Sequence, residues 1–333
     1  MTSPRFDVVG IGNAIVDVLA PASENFLLSQ GMQKGTMALL NAEQADSLYR
    51  AMGNGIETSG GSAANTIAAV AQLGARAGFI GRVRNDQLGE IFAHDLRATG
   101  ARFDTPAAES GAATARCMIL VTPDAQRTMG TFLGASIDLD PKDLDLSMVR
   151  ETKVLYLEGY LWDAEAAKQA FLAAAAEVKA HGGEVALSLS DPFCVGRHQQ
   201  SFLELVEGYV DILFANEAEI TSLYNTDSFE VATDLVRGHC KIACLTRSSE
   251  GSLVLTGDTT FSIPPYHFGD LLDTTGAGDC YAAGFLYGYS QGWSYERCGH
   301  AGSICAGRVV TQMGPRSQVD LLGLIEANLI GID

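Results

Sequence analysis

Residues 273–286 read Asp273-Thr-Thr-Gly-Ala-Gly-Asp-Cys-Tyr-Ala-Ala-Gly-Phe-Leu286. The run has the form of a strand-to-helix junction. Gly276 and Gly278 flank Ala277, and an apolar stretch with Tyr281, Ala282, Ala283, Phe285 and Leu286 continues as a helix. The first N–H groups of a helix have no carbonyl partner within it, and the helix dipole adds positive potential, so such a start is a ready anion site. Asp279 stands at the mouth of that site. A phosphate repels a neighbouring carboxylate, so a carboxylate held there has chemical work, and the natural work is to accept a proton from a hydroxyl that attacks phosphorus. Taken alone, the run also fits a tight turn followed by a carboxylate that complements the helix dipole.

Working outward, a regular alternation surrounds this junction. Strands are expected over 6–11, 79–81, 154–157, 184–188, 212–215 and 242–246, with helices over 42–52, 63–73, 86–99, 164–180, 201–208, 217–224 and 229–238. A hairpin is expected over 252–263, and helices close the chain. Alternating strands and helices imply an α/β fold whose parallel sheet is covered on both faces. Residues 14–40 and 101–135 depart from this pattern, with turn residues and short strand-like runs. The expectation is one unit over 1–333, a large α/β domain carrying a small β-rich lid from discontinuous segments near 14–40 and 101–135.

Bulk composition narrows the function. The chain has 333 residues, 47% of them hydrophobic and 19% charged, which suits a globular protein with a large core. A net charge of −18 argues against nucleic-acid binding, which needs a basic face, yet leaves room for a small anionic substrate in a local pocket. The seven cysteines include no Cys-x-x-Cys pair, and Cys240 and Cys244 have no second ligand pair to follow them; reduced thiols packed as small hydrophobes are expected. The six histidines lack metal-ligand spacing. Neither a signal-like apolar core at the N-terminus nor a run of membrane-spanning length is present, so a cytoplasmic protein without a membrane partner is expected.

Other motifs follow strand ends. Asn13 and Asp17 come after the first strand, where an amide and a carboxylate can hold adjacent hydroxyls or can simply be turn and surface residues. Gly60 and Gly61 precede a helix bearing Asn65; side chains at those glycines would crowd a ligand lying on the backbone. Asn216 and Glu219 open a helix, where acidic residues also complement the dipole. Thr246 and Gly251 bound a turn after another strand, and Arg127, in Asp-Ala-Gln-Arg-Thr, can be an ordinary surface arginine.

The run Asp-Thr-Thr-Gly-Ala-Gly-Asp resembles the C-terminal signature of the ribokinase-like (PfkB) carbohydrate and nucleoside kinases. Gly60-Gly61-Ser62-Ala63-Ala64-Asn65, continuing through Leu73-Gly74 and Gly81 to Gly89, resembles their N-terminal signature. The resemblance covers nearly the whole chain and implies a three-layer α/β/α sandwich with a mostly parallel central sheet and a small lid. It implies ATP and Mg2+ as cofactors, Asp279 as general base and the Gly276, Ala277 and Gly278 amides as the anion hole. Asn13, Asp17, Gly60, Gly61 and Asn65 would then bind the acceptor. Asn216, Thr246, Gly251 and Thr275 would meet the nucleotide, with Glu219 holding magnesium-bound water and Arg127 approaching phosphate from the lid. Asp273, with backbone from 309–314, is the expected ligand of a possible K+. The family often carries glycine where this chain has Ser248.

Segments 156–162, 188–193 and 211–219 resemble adenosine kinases, which implies transfer of the γ-phosphate to the 5′-hydroxyl of a ribonucleoside, adenosine before guanosine or inosine. Met37, Leu39, Tyr160 and Trp162 are then candidate walls of a base pocket, or else ordinary core side chains. The alternatives are a ribokinase- or fructokinase-type sugar kinase and a catalytically silent nucleoside- or sugar-binding protein. Either a monomer or a homodimer is compatible with the resemblance.

Overall fold

Strands buried on two faces must be apolar at nearly every position, and the central strands of this chain are. The computed structural model describes residues 5–124 and 126–332, so the N-terminal residues 1–4 of the signal-peptide reading lie outside the described residues. The strands are β1 (Phe6–Ile11), β2 (Ile15–Pro21), β3 (Met37–Leu39), β4 (Ile56–Gly60), β5 (Ala77–Ile80), β6 (Arg102–Phe103), β7 (Ala115–Val121), β8 (Arg127–Phe132), β9 (Thr152–Glu158), β10 (Glu184–Ser188), β11 (Ile212–Asn216), β12 (Ile242–Thr246), β13 (Ser252–Thr256) and β14 (Thr259–Ile263). Among the described residues, nine of them form a large sheet in the order β14-β13-β12-β11-β10-β9-β1-β5-β6. It is parallel from β6 to β12, with an antiparallel edge of β13 and β14.

Successive strand residues point to opposite faces, and the two cores divide accordingly. Val8, Tyr156, Phe214 and Cys244 pack with the helices Ser62–Gln72, Ala277–Ser290 and Tyr295–Val309. Val9, Leu155, Leu187 and Leu213 pack on the other face with Glu165–Ala180 and Gln199–Gly208. The chain order runs away from β1 in both directions, through β5 on one side and β9 on the other. That reversal opens a crevice at the C-terminal ends of β1 and β9.

A second sheet, ordered β3-β8-β7-β2-β4, stands apart from the first. Met118 and Leu120 of its inner face pack on Leu27, Ala45 and Leu48. Two features differ from expectation. Arg102–Phe103, within the segment assigned to the lid, pairs instead with β5 in the large sheet. Ile56–Gly60, outside both lid segments, is an edge strand of the small sheet, where only a partner lends it strand geometry because its sequence lacks apolar alternation. Among the described residues no helix is long and apolar enough to cross a membrane, and all seven cysteines are free.

Candidate active site

β1 and β9 end side by side at the crevice. Asn13, buried just past β1, donates from Nδ2 to Glu158 Oε1 at 2.7 Å and from its backbone N–H to the same oxygen at 3.3 Å. The other oxygen of Glu158 accepts the Ala63 N–H at 2.7 Å, which satisfies an otherwise orphaned donor in the first turn of Ser62–Gln72. Burial pushes the Glu158 carboxyl up to about 7, although these donors oppose the rise. Gly61 starts the helix at φ +96°, and a Cβ there would lie 2.2 Å from the Asn13 carbonyl oxygen. Only glycine fits that approach.

Helix Ala277–Ser290 starts from Gly276 at φ +78°, where a Cβ would stand 2.5 Å from the ring of Pro315. Asp279 lies in its first turn and is partly buried. Ser62 Oγ donates to its Oδ1 at 2.6 Å, and Asn65 Nδ2 donates to its Oδ2 at 3.1 Å. Two helix starts thus converge on one carboxylate. Burial pushes Asp279 up to about 6, and the two hydrogen bonds oppose that rise. Asn13 Oδ1 and Asn65 Oδ1 are buried with no hydrogen-bond partner, so both are acceptors in want of a donor. The Ala277 N–H donates to the Thr274 carbonyl at 3.2 Å, a turn bond that leaves Gly276 and Gly278 as the better-placed amides for an anion.

The small sheet faces this point with one side of each strand. Register places Asp17 opposite Thr58 and Cys117, Cys117 opposite Thr131, Arg127 two and four residues before Met129 and Thr131, and Met37 and Leu39 beside Met129 and Thr131. All therefore share a face. Met37 and Leu39 are 51% and 64% exposed, an open apolar wall. Asp17 crowds Gly60, whose Cβ would lie 2.3 Å from it. Burial pushes Asp17 up to about 7, opposed by the charges of Arg316 and Arg127 and reinforced by Asp279. Arg316 donates from Nη1 to Asp95 Oδ2 at 3.3 Å, while its Nε and Nη2 are buried without partners.

Arg127 is engaged rather than free. Its Nη1 donates to Thr275 Oγ1 at 2.8 Å, and its Nη2 lies 2.5 Å from Asp273 Oδ2, an ion pair without hydrogen-bond alignment. On the nucleotide side of the expected site, Asn216 and Glu219 form a capping box: the Asn216 N–H and Nδ2 donate to Glu219 at 2.9 and 2.7 Å, and the Glu219 N–H returns to Asn216 Oδ1 at 2.9 Å. Burial pushes Glu219 up to about 7, with Asp191 and Asp279 adding to the rise. Thr246 ends β12 directly beside Asn216, and Gly251 closes the turn after it. Ser248 in that turn adopts φ +51°, the left-handed conformation glycine takes without strain.

Tyr160 is half-exposed near Glu158, Asp191 and Glu219, and burial of its hydroxyl raises its pKa. Trp162 corrects the expectation of a pocket wall. It is 3% exposed, donates to Ser201 Oγ at 2.8 Å and packs against Phe171 and Phe202 in the far core. Sequence reasoning missed Ser62, Glu158 and Arg316. Only Glu158 carried a signal, an acid ending an otherwise apolar strand.

Residues 37–321 match the pfkB family of carbohydrate kinases. The chain belongs to that family. It is a phosphotransferase that acts on a hydroxyl group of a small molecule, with the ribokinase-like fold. The crystal structure of adenosine kinase from Sinorhizobium meliloti is 48% identical, with a TM-score of 0.90 over 97% of this chain and 99% of that one. A probable sugar kinase from Rhizobium etli CFN 42 is 46% identical, with a TM-score of 0.90 over 97% and 98%. The 5-dehydro-2-deoxygluconokinase of Geobacillus thermodenitrificans is 26% identical over 280 residues, 80% of this chain and 82% of that protein. PfkB kinases use ATP with Mg2+, while the acceptors named for these relatives differ.

Proposed function

We propose that this pfkB kinase transfers the γ-phosphoryl group of ATP to the primary 5′-hydroxyl of a ribonucleoside, with adenosine as the preferred acceptor. The observation that carries this reading is the arrangement around Asp279. A carboxylate fixed by Ser62 and Asn65 at a helix start faces a sheet that offers both Asp17 and an apolar wall of Met37 and Leu39. Asp17, Asn13 Oδ1 and Asn65 Oδ1 are suited to accept hydrogens from ribose hydroxyls, and the apolar wall suits a planar base. The likeness to an adenosine kinase over nearly the full chain points the same way.

In this reading Asp279 takes the proton as the hydroxyl attacks phosphorus in line. The Gly276 and Gly278 amides and the helix dipole stabilise charge on the transferring group. The small sheet acts as the lid that excludes water, the competing acceptor. Asp191 and Asp279 add to the cost of ionising Glu219, which fits a nearby cation. Among the described residues no cluster of three acids, histidines or cysteines is close enough to ligate a metal directly, so Glu219 would hold a water of hydrated Mg2+. Magnesium there would offset phosphate charge.

The orphaned hydroxyl acceptors Asn13 and Asn65 serve a free sugar as well as a ribose, and this favours a sugar kinase as the second reading. ATP consumption with product identification on adenosine, guanosine, inosine, ribose and fructose decides between them. The proposal expects AMP from adenosine at a rate well above that of any free sugar. Preferential turnover of ribose or fructose would overturn the nucleoside assignment while leaving the kinase intact.

A further inference from the structure

Asp273 is the carboxylate expected to hold a monovalent cation, and its surroundings do not fit one. Its side chain is 4% exposed. Oδ1 accepts the Thr275 N–H at 3.0 Å, and Oδ2 accepts the Gly314 N–H at 2.8 Å while meeting Arg127 Nη2 at 2.5 Å. The guanidinium is itself enclosed, its side chain 12% exposed, and its other arm is fixed on Thr275 Oγ1 at 2.8 Å. An ion bound at Oδ2 would have to lie where this guanidinium lies.

A buried carboxylate needs a positive partner, because leaving a desolvated charge unpaired is strongly unfavourable. A dissolved ion supplies that charge only at the expense of its own hydration and freedom. Here the partner is delivered by β8, already desolvated by the fold and with its planar fork held in place. Asp273 and Thr275 directly precede Gly276, so whatever fixes the Asp273–Gly314 contact also fixes the start of Ala277–Ser290.

We propose that the Arg127 guanidinium is the cation of this site: a chain-borne replacement for a monovalent ion, holding the turn at the helix start and tying the small sheet to it. Arg127 is then a positioning residue, acting on the anion cradle through Asp273 and Thr275. Phosphoryl transfer by this enzyme has no requirement for K+. Removal of the guanidinium uncovers a carboxylate and two ordered backbone turns that accept K+ in its stead.

The test compares potassium chloride with tetramethylammonium chloride at equal ionic strength, on the wild type, Arg127→Lys and Arg127→Met. Melting temperature is read without substrates and initial rate is read on whichever acceptor turns over. The rate arm rests on the kinase reading; the melting arm does not, so failure of the nucleoside assignment is distinguishable from failure here. The wild type is expected to give the same rate and the same Tm in both salts. Arg127→Met is expected to lose Tm and rate in tetramethylammonium and to recover part of both in potassium alone, while Arg127→Lys stays indifferent. Activation of the wild type by potassium would overturn the proposal, and that result needs no variant to fold. A folded Arg127→Met that melts at one temperature in both salts would overturn it too.

Discussion

Asp279 is subject to opposing influences that fix when it can act. Burial raises its pKa to about 6, and the bonds from Ser62 and Asn65 keep the rise from going further. As the general base proposed above, Asp279 works only when ionised, so kcat/KM is expected to fall as pH drops through about 6. Ser62→Ala removes a donor that favours the charged form, and its pH–rate profile should show the acidic limb moved to higher pH. An unmoved limb would assign that limb to another group. The sequence made Asp279 and its glycines legible because they are contiguous and the anion logic of a helix start is local. Ser62 was not legible as a partner, since it meets Asp279 across 217 positions. Trp162 illustrates the opposite failure. An aromatic beside a crevice strand reads the same whether it lines the pocket or turns into the core, and only packing decides.

The central strands were legible because both faces are buried, which leaves unbroken apolar runs such as those of β10 and β12. Elements whose stability comes from partners were not. Helix Glu24–Ser29 is too short for periodicity and depends on Ser23 Oγ accepting the Phe26 N–H at 3.1 Å. β4 has a polar sequence and is held in the strand state by β2. The contact between Ala277–Ser290 and Tyr295–Val309 offers a test at this scale. A Cβ on Gly284 would lie 2.5 Å from the Ala301 carbonyl oxygen, a backbone atom that cannot swing aside. Gly284→Ala gains about 1 kcal/mol of helix propensity but overpacks the crossing, and a net loss of about 1–2 kcal/mol is expected in denaturant unfolding. A more stable variant would mean the helices part freely, and with them the base of the anion cradle. Ser248→Gly relieves a left-handed serine and is expected to be stabilising by up to about 1 kcal/mol in the same assay.

Across the whole molecule, function and stability oppose each other at the crevice. Asp17, Glu158, Glu219 and Asp279 rise from ordinary values of 3.8 and 4.5 to about 6 or 7, all with burial as the largest cause. The folded state therefore binds more protons than the unfolded chain across that window, and stability falls as pH rises through it. The net charge of −18 acts with the same sign. Asp7, Asp95, Asp145 and Asp163 are held below their ordinary 3.8, so their contribution is lost as pH falls through and below that value. Scanning calorimetry is expected to give a higher Tm near about pH 5 than near about pH 8, with a decline on further acidification. A Tm rising from pH 5 to pH 8 would contradict the four raised carboxyls.

We propose Asp279 as the general base for phosphoryl transfer to a nucleoside hydroxyl. Its most direct test is kcat of Asp279→Asn on adenosine with MgATP, with ATP affinity and Tm measured on the same preparation. A fall in kcat of about two to four orders of magnitude is expected, with ATP still bound and the fold intact. A folded Asp279→Asn enzyme that turns over at close to the wild-type rate would contradict it.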